Sequence, residues 1–544
     1  MIYRCLLALF LSFTLSQSIA RKIPDPQRPK LVVGLVVDQM RWDFLYRYSD
    51  RYKPNGGFQR LLTQGFSNEN TFIPYTPTIT ACGHSCIYTG SVPALNGITG
   101  NGWYDREQGR MVYCTEDKAM KTVGASGSAG EMSPKNLRTT TIGDELRLAN
   151  NFRSKVIGIA IKDRGAILPA GHSANGAYWY DGSSGNWISS TYYGNALPKW
   201  VADYNGRKAV DKFYQQGWNT LYPINTYVNS TSDEQPYEGK PFPGGAKGFP
   251  YDLKALVGNN YSGISATPYG NTMTLQLAKD AIAAEALGKG GFTDMLTVSL
   301  SSPDYIGHTF GPNSIEAEDA YLRLDQDLGD FLDYLDEQVG KGQYLLFLSA
   351  DHGVLQVPGF LKANKIPAGL FDSNKAAAEL NTVLGKDYGN STLVIGLINH
   401  QVQLNNAMID SLKLDRPKII KRVISYLMGL QTVSRAFSLE GLSSVTLPEK
   451  IKEMVANGYM PGRSGDVQYA LLPQYFEGGS TGTSHGMWNP YDAHIPLVWY
   501  GWTVKPGKSN KEVYMSDIAP TIAAMLKIQM PSGSIGKPIE QLTR

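Results

Sequence analysis

The sequence has little cysteine, little charge and no long apolar run beyond its first residues. Four of its 544 residues are Cys, and 18% are charged. The 51 Lys and Arg nearly balance the 48 Asp and Glu, and the basic residues are spread along the chain. Nucleic-acid-binding proteins instead carry a basic patch or stripe. We therefore expect no nucleic acid as a dedicated partner.

The first 20 residues are typical of a secretory signal peptide. An early cation, Arg4, precedes an apolar run from Cys5 to about Leu15, and small residues follow at Ser18 and Ala20. A membrane anchor is the alternative, but this run is shorter than the ~20 apolar residues that span a bilayer. We predict cleavage after Ala20 and a periplasmic or secreted mature chain, residues 21–544, with no stable membrane anchor.

Three cysteines remain after the predicted cleavage: Cys82, Cys86 and Cys114. In an oxidising compartment, three thiols predict one disulfide and one buried free thiol, although the sequence does not choose the pair. Metal binding by Cys82 and Cys86 is the alternative.

The chain is rich in apolar and turn-forming residues, with 42% hydrophobic residues, 57 Gly and 30 Pro. This composition is typical of a folded globular protein with many loops. Three nearly continuous apolar runs, each followed by an acidic residue, predict strands buried on both faces of a parallel sheet. These runs are Lys30–Val37, Thr293–Leu300 and Tyr344–Ser349.

Helical patterns alternate with these strands and predict an α/β fold with a mostly parallel central sheet flanked by helices. The predicted helices are Ile142–Asn150, Thr272–Leu287, Ser314–Val339 and Asp517–Leu526. Two regions, about 182–269 and 354–474, interrupt the alternation. We predict that both are insertions into one catalytic domain that covers residues 21–544.

Three carboxylates and three imidazoles follow the predicted strands in the order D…DxxxH…DH…H. They are Asp38, Asp304, His308, Asp351, His352 and His485. Ligands of open parallel sheets bind at the carboxyl ends of the strands, where these residues are expected to converge. Mixed Asp and His ligands favour Zn²⁺ over Mg²⁺ or Ca²⁺, and two zinc ions are the natural number.

The pattern resembles the alkaline phosphatase superfamily, whose members carry two zinc ions at such a sheet edge. Residues 71–105 look like the nucleophile segment found in the nucleotide pyrophosphatase/phosphodiesterase branch of this superfamily and in the phosphatases related to that branch. In that segment a Thr begins a helix and an Asn follows; here these residues are Thr80 and Asn101. Residues 160–166, AIKDRGA, are similar to the phosphate-irrepressible, PafA-type alkaline phosphatases, in which a Lys and an Arg contact the phosphoryl group. Here these residues are Lys162 and Arg164.

The resemblance implies a role for each residue. Asp38, Thr80, Asp351 and His352 would surround one zinc ion, and Asp304, His308 and His485 would hold the other. Thr80 would attack phosphorus and form a phosphothreonine. Other hydroxyls near Thr80 are Thr76, Thr78 and Ser85, for which hydrogen bonding in turns or caps is the simpler interpretation. Asn101 would donate a hydrogen bond to a phosphoryl oxygen.

Lys162 and Arg164 decide the expected substrate class. A phosphate monoester carries two charges and needs more fixed positive charge than a diester. On an extended segment, residues two apart face the same way, so both side chains are expected to point at the phosphoryl group. The sequence therefore predicts an alkaline phosphatase that hydrolyses a broad range of phosphate monoesters, acting as a monomer. The alternatives are a nucleotide pyrophosphatase/phosphodiesterase and a non-catalytic binding protein.

Overall fold

The protein is described by a computed structural model that covers residues 28–543. The predicted signal peptide, residues 1–20, lies outside the described residues. The strands, in chain order, are β1 (Leu31–Val37), β2 (Phe66–Asn68), β3 (Thr71–Phe72), β4 (Gly102–Asp105), β5 (Arg110–Tyr113), β6 (Thr122–Val123), β7 (Val156–Ala160), β8 (Gly176–Asp181), β9 (Asn186–Ser190), β10 (Asp294–Leu300), β11 (Tyr344–Ser349), β12 (Gly369–Phe371), β13 (Val394–Ile398), β14 (Gln401–Leu404), β15 (Val433–Ser438), β16 (Val467–Leu471), β17 (Tyr475–Glu477), β18 (His494–Ile495), β19 (Leu497–Gly501), β20 (Gly507–Ser509) and β21 (Val513–Tyr514).

The α-helices are numbered in the same way. They are α1 (Phe44–Arg47), α2 (Gly57–Gln64), α3 (Thr80–Thr89), α4 (Pro93–Asn96), α5 (Ile142–Leu148), α6 (Asp163–Ala170), α7 (Lys199–Gly206), α8 (Ala209–Gln216), α9 (Tyr269–Ala284), α10 (Ser302–Phe310), α11 (Ile315–Leu335), α12 (Pro358–Ala363), α13 (Ser373–Tyr388), α14 (Asn406–Ser411), α15 (Arg416–Met428), α16 (Glu449–Gly458), α17 (Pro490–Ala493), α18 (Ile518–Leu526) and α19 (Glu540–Thr543). None of the helices described is long and apolar enough to span a membrane.

A ten-stranded sheet forms the centre of the molecule, in the order β20-β2-β19-β11-β1-β10-β7-β8-β9-β6. Its middle strands, β11, β1, β10, β7 and β8, are parallel, and the strands that pair outside them on each side, β19 and β9, are antiparallel. Every residue of β1, β10 and β11 is buried, as expected for strands covered by helices on both faces. The predicted α/β fold class is confirmed.

Helix α3 packs unusually close to the central strand β1. A methyl group placed on Gly34 of β1 would lie 2.3 Å from the Tyr88 hydroxyl of α3 and 2.7 Å from the Phe347 ring. The glycine therefore permits a close approach that a larger residue would block. All ten residues of α3 are buried, so the sheet fixes the position of this helix.

The predicted helices are present with shifted ends. Helix α11 begins after Ser314, whose hydroxyl accepts the Ala317 N–H, as an N-cap residue does. It ends at Leu335 and continues as a π-helical turn to Gly340, which accounts for the apolar spacing through Val339. Helix α9 begins three residues before the predicted start at Thr272.

The region between 354 and 474 contains a second sheet with a core of its own. Strands β13, β14, β16 and β15 are antiparallel, and helices α13 and α15 pack against them. Leu380, Val402 and Ile419 are fully buried in this smaller core. The region between 182 and 269 is different, because its buried aromatic residues, such as Trp218 and Tyr251, belong to the main core.

The predicted disulfide is wrong: Cys82, Cys86 and Cys114 are all free and buried. Cys82 and Cys86 lie one turn apart on α3, and the Cys82 thiol donates to the Ile98 carbonyl at 3.1 Å. Burial raises the pKa of the Cys114 thiol to about 12. The three thiols therefore behave as small core side chains.

Candidate metal centre

Four neighbouring parallel strands deliver the site residues to one sheet edge. Asp38 directly follows β1, and Asp351 follows β11 after one intervening residue. Asp304 lies in the first turn of α10, just beyond β10, and Lys162 lies two residues beyond β7. Because these strands are adjacent and parallel, their carboxyl ends bring the four side chains together.

Asp38, Asp351 and His352 form the first group of potential metal ligands, with ligand atoms within 4.8 Å of one another. His352 Nε2 lies 3.6 Å from Asp38 Oδ1 and 3.4 Å from Asp351 Oδ2. Thr80 Oγ1 lies 3.3 Å from the same nitrogen. The first residue of α3 is therefore beside this group.

The second group is built around Asp304. Its Oδ1 lies 3.1 Å from His308 Nε2 and 3.8 Å from His485 Nε2. The rings of His352 and His485 are stacked with centroids 3.5 Å apart. The two groups are therefore contiguous, and His352 can also belong to a group with Asp304 and His485.

Each of the three imidazoles is oriented by a backbone carbonyl. His352 Nδ1 lies 3.0 Å from Gly353 O, His308 Nδ1 lies 2.8 Å from Thr483 O, and His485 Nδ1 lies 2.7 Å from Thr78 O. A carbonyl can only accept, so Nδ1 carries a proton in each ring, and Nε2 faces the carboxylates. This is the arrangement in which histidine binds a metal through Nε2.

Two observations show that the groups suit cations. Asp38 Oδ1 and Asp351 Oδ2 are buried and accept no hydrogen bond from residues 28–543, and buried carboxylate oxygens are normally satisfied. Burial also lowers the pKa of His352 and, together with the neighbouring imidazoles, of His485, so both rings are neutral. Carboxylates and neutral imidazoles are the mixed ligands that favour Zn²⁺.

The carboxylates differ in their electrostatic surroundings. Burial, reinforced by the negative charge of Asp351, raises the pKa of Asp38 well above its ordinary value. Burial acts the same way on Asp304, but His308 and Lys162 outweigh it and hold the pKa of Asp304 well below its ordinary value. Additional positive charge is therefore needed most beside Asp38.

Lys162 and Arg164 occupy positions that the sequence did not predict. They are not on an extended segment: Lys162 is the N-cap residue of α6, and Arg164 lies in the first turn of that helix. Lys162 Nζ donates to Asp38 Oδ2 at 2.7 Å and to Asp304 Oδ2 at 2.5 Å. Arg164 donates to the Tyr113 hydroxyl at 3.1 Å. Lys162 thus contacts a carboxylate of each group, whereas Arg164 does not.

The Thr80 hydroxyl faces a candidate metal ligand, whereas the three hydroxyls near it face backbone carbonyls. Thr78 and Ser85 donate to the backbone carbonyls of Met487 and Ala81 at 2.9 and 2.7 Å. Thr76 lies 3.4 Å from the carbonyl of Gly486. Only Thr80, among these four, has its hydroxyl against His352.

Asn101 is held against the start of α3. Its Oδ1 accepts the Ala81 N–H at 3.0 Å, which leaves its NH₂ group as the donor. Asn101 and Thr80 therefore lie side by side at the N-terminus of a ten-residue helix, where backbone N–H groups favour an anion.

The model of the type I phosphodiesterase/nucleotide pyrophosphatase family matches residues 32–415. The chain belongs to this family. Alkaline phosphatase PhoV of Synechococcus elongatus is 56% identical over 95% of this chain and 93% of its own length. A protein of Myroides odoratus named calcium-transporting ATPase is 53% identical over 95% of both chains. The crystal structure of alkaline phosphatase PafA has a TM-score of 0.93, with 47% identity over 95% of this chain and 99% of that one.

These relatives place the chain among the PafA-type members of the phosphodiesterase family, within the alkaline phosphatase superfamily. The resemblance predicted from residues 71–105 and 160–166 is confirmed.

Two residues of this family member lie inside the site but were not predicted. Gln39 donates to carboxylates of both groups, and His84 links Thr80 O to Ser299 Oγ at 2.9 and 2.8 Å. Gln39 directly follows Asp38, and His84 lies one helical turn after Thr80. Those spacings were the only signals available, and neither residue type is specific to such a role.

Proposed function

We propose that the protein is a periplasmic or secreted alkaline phosphatase that hydrolyses phosphate monoesters with two zinc ions and a phosphothreonine at Thr80. Its relatives PhoV and PafA are named alkaline phosphatases. The observation that carries the proposal is the position of Lys162, whose ammonium contacts a carboxylate of each ligand group. A buried cation between two metal sites suits a doubly charged phosphoryl group.

The proposed ligand sets are those implied by the sequence. Asp38, Thr80, Asp351 and His352 would hold one zinc ion, and Asp304, His308 and His485 the other. When bound, the ions neutralise phosphoryl charge and lower the pKa of oxygens bound to them. Asp38 supports this arrangement because its buried Oδ1 accepts no hydrogen bond from the residues that the structure describes.

Thr80 would carry the covalent step. Its Oγ attacks phosphorus, the ester P–O bond breaks, and the alcohol departs with the phosphoryl group left on Thr80. Water then attacks phosphorus, the bond between Thr80 Oγ and phosphorus breaks, and phosphate leaves with the hydroxyl restored. Asn101 and the N–H groups at the start of α3 would hold phosphoryl oxygens in both halves.

Lys162 and Arg164 would set the preference for monoesters. Desolvation works against the charge of Arg164, but neighbouring Tyr113 and Asp163 keep its pKa well above the ordinary value. Arg164 is therefore a permanent, largely buried cation beside Lys162. A dianionic monoester gains more from this pair than a monoanionic diester does.

The proposal also covers the localisation, the partners and the oligomeric state of the protein. The signal-like residues 1–20 support export, to the periplasm or the medium. The dispersed basic residues support small phosphate esters rather than nucleic acid as the partner. We also propose that the protein acts as a monomer.

The test compares kcat/KM for an aryl phosphate monoester and for the matching methyl aryl diester. Both are measured with the zinc-loaded protein and with the Lys162→Ala/Arg164→Ala variant. We expect a large monoester preference that falls by at least 100-fold in the variant, since each charge-assisted contact contributes about 1.5–3 kcal/mol. ATP is a useful third substrate because its terminal phosphoryl group is also dianionic.

The control is Lys418→Ala/Arg422→Ala, which removes the same charges from the solvent side of α15. This control should leave the preference unchanged. A diester rate equal to or above the monoester rate, untouched by the Lys162 and Arg164 changes, would assign the protein to the phosphodiesterase activity instead.

A further inference from the structure

Gln39 is a buried amide that touches both ligand groups. It is 2% exposed. Its backbone N–H donates to Asp351 Oδ1 at 3.1 Å, and its side-chain Nε2 donates to Asp304 Oδ1 at 2.7 Å. Asp351 belongs to the first group and Asp304 to the second, so one residue contacts a carboxylate in each.

The backbone of Gln39 adopts a conformation that costs energy. Its φ is +66°, in the left-handed region where residues other than Gly are uncommon. Such conformations persist where the surrounding structure fixes them, often at functional sites. Here the turn directs the N–H toward Asp351, while the side chain reaches Asp304.

The neighbouring helix leaves a space for the side chain. A methyl group placed on Gly307 of α10 would lie 1.9 Å from Gln39 Oε1 and 3.0 Å from its Cδ. Beyond the two chain neighbours and the backbone of α10, the three nearest atoms among the described residues all belong to Gln39. Gly307 is therefore the steric partner of Gln39, on the same helix that carries Asp304 and His308.

We propose that Gln39 is a positioning residue that fixes the orientation of Asp304 and Asp351 relative to each other, with Gly307 providing the space it needs. By holding one carboxylate from each group, Gln39 couples the geometry of the two metal sites. This inference rests on the proposed function, because it concerns the carboxylates proposed to bind zinc.

The first test removes the amide while leaving the space filled. Gln39→Met has similar length but no side-chain donor. We expect zinc affinity at the site built around Asp304, measured by chelator competition, to fall about 10- to 100-fold, because the lost amide contacts Asp304. A loss of this size is typical when a residue that orients a ligand is changed. We expect kcat to fall with it and KM to change little, because Gln39 is not proposed to contact substrate. Native zinc affinity in Gln39→Met would show that the residue only fills space.

The second test is a double-mutant cycle of Gln39→Gly and Gly307→Ala. Gln39→Gly keeps the backbone N–H and suits the positive φ, and Gly307→Ala displaces the amide, whose Oε1 would lie 1.9 Å from the added methyl group. Each single change should weaken zinc binding. In the double variant the methyl group enters vacated space, so the second change should add little to the first.

Additive losses in this cycle would overturn the coupling between Gln39 and Gly307. The matched control is Gly206→Ala at the end of α7, where an added methyl group meets no atom of the described residues within 4 Å beyond its own helix; it should leave zinc content and affinity unchanged. The unmodified protein separates the two proposals. If it binds fewer than two zinc ions, the proposed function fails, whereas two ions with native affinity in every Gln39 variant would overturn only this inference.

Discussion

At the scale of single residues, Thr80 is distinguished by its surroundings rather than by its chemistry. Thr80→Ala should lower kcat/KM by about 1,000-fold or more, because it removes the attacking oxygen. Thr80→Ser should keep part of the activity. Acid quenching during turnover, followed by mass spectrometry, should find a phosphoryl group on the peptide that contains Thr80.

Thr89→Ala is the matched control for this change. Thr89 is buried at the other end of α3, where its hydroxyl donates to Ser85 O at 2.7 Å. Its loss should cost about 1 kcal/mol of stability and leave the catalytic rate unchanged. A Thr80→Ala variant with more than a tenth of the native rate would contradict the covalent role.

Glu238 gives a prediction about pH and stability. It is 4% exposed, and burial, together with the negative charge of Glu316, raises the pKa of Glu238 to about 9. Its ordinary value is 4.5, so between these values the folded chain holds a proton that the unfolded chain has released. Stability should therefore fall as pH rises from about 5 to 9, by up to about 1.4 kcal/mol per pH unit for one proton.

Glu238→Gln should remove this contribution. Urea unfolding of metal-depleted protein at pH 5, 7 and 9 should give a flatter dependence for the variant, which should be more stable than the native chain at pH 9. Glu449→Gln, at an exposed glutamate, is the control and should reproduce the native dependence. Parallel curves for Glu238→Gln and the native chain would contradict the prediction.

The site residues differ in how far the sequence could predict their position. Asp38 and Asp351 follow apolar runs, and adjacent parallel strands must end at one edge, so their proximity follows from the pattern. The role of Gln39 depends on a left-handed backbone and on Gly307, which is remote in sequence. The disulfide prediction failed for a related reason. An oxidising compartment favours disulfides, but the distance between two thiols is set by the fold.

At the scale of elements, helix α3 is held by glycines as well as by apolar contacts. Gly83, one turn into the helix, would place a methyl group 2.3 Å from Asp351 O and 2.7 Å from its Cα. Alanine favours helices over glycine by 0.5–1 kcal/mol, roughly, but contact with backbone atoms at this distance forces the helix to move.

Gly83→Ala should therefore shift Thr80 relative to Asp351. We expect a loss of about 100-fold in kcat/KM, the scale of a displacement near 1 Å, and a loss of about 1–3 kcal/mol in stability from overpacking. Gly206→Ala makes the same change where residues 28–543 leave open space and should leave both quantities near native. Native activity in Gly83→Ala would show that the helix position is not critical.

The way the chain leaves strand β7 explains why the predicted placement of Lys162 and Arg164 was wrong. The sequence predicts Lys162 and Arg164 on an extended segment, and these residues lie just beyond the buried strand β7. The chain instead turns at Lys162 into α6, so the two cations are neighbours on a first helical turn. The apolar run Val156–Ala160 is typical of a buried strand, although it is not among the predicted strands, and the turn two residues later carries no comparable signal.

At the scale of the whole molecule, the proposed metal sites and the smaller core lie in different parts of the fold. The proposed ligands come from the ends of β1, β10 and β11 and from the loop that contains His485. Helices α13 and α15 pack on the second sheet, with their own buried residues. Loss of metal should therefore loosen one part of the molecule more than the other.

Hydrogen exchange with and without zinc tests this expectation. Removing zinc with a chelator leaves Asp38 buried with less compensating charge, so amide exchange should rise in α3, α10 and the segment around His485. Exchange in α13 and α15 should change little.

Zinc at 100 times its dissociation constant should stabilise the fold by about 2.7 kcal/mol per site, visible as a higher Tm. Asp304→Asn, which weakens one ligand group, should reduce both the zinc-dependent protection and the Tm increase. Equal changes across both cores would mean that the second sheet unfolds together with the catalytic core, whereas unchanged exchange throughout would contradict metal binding at these carboxylates.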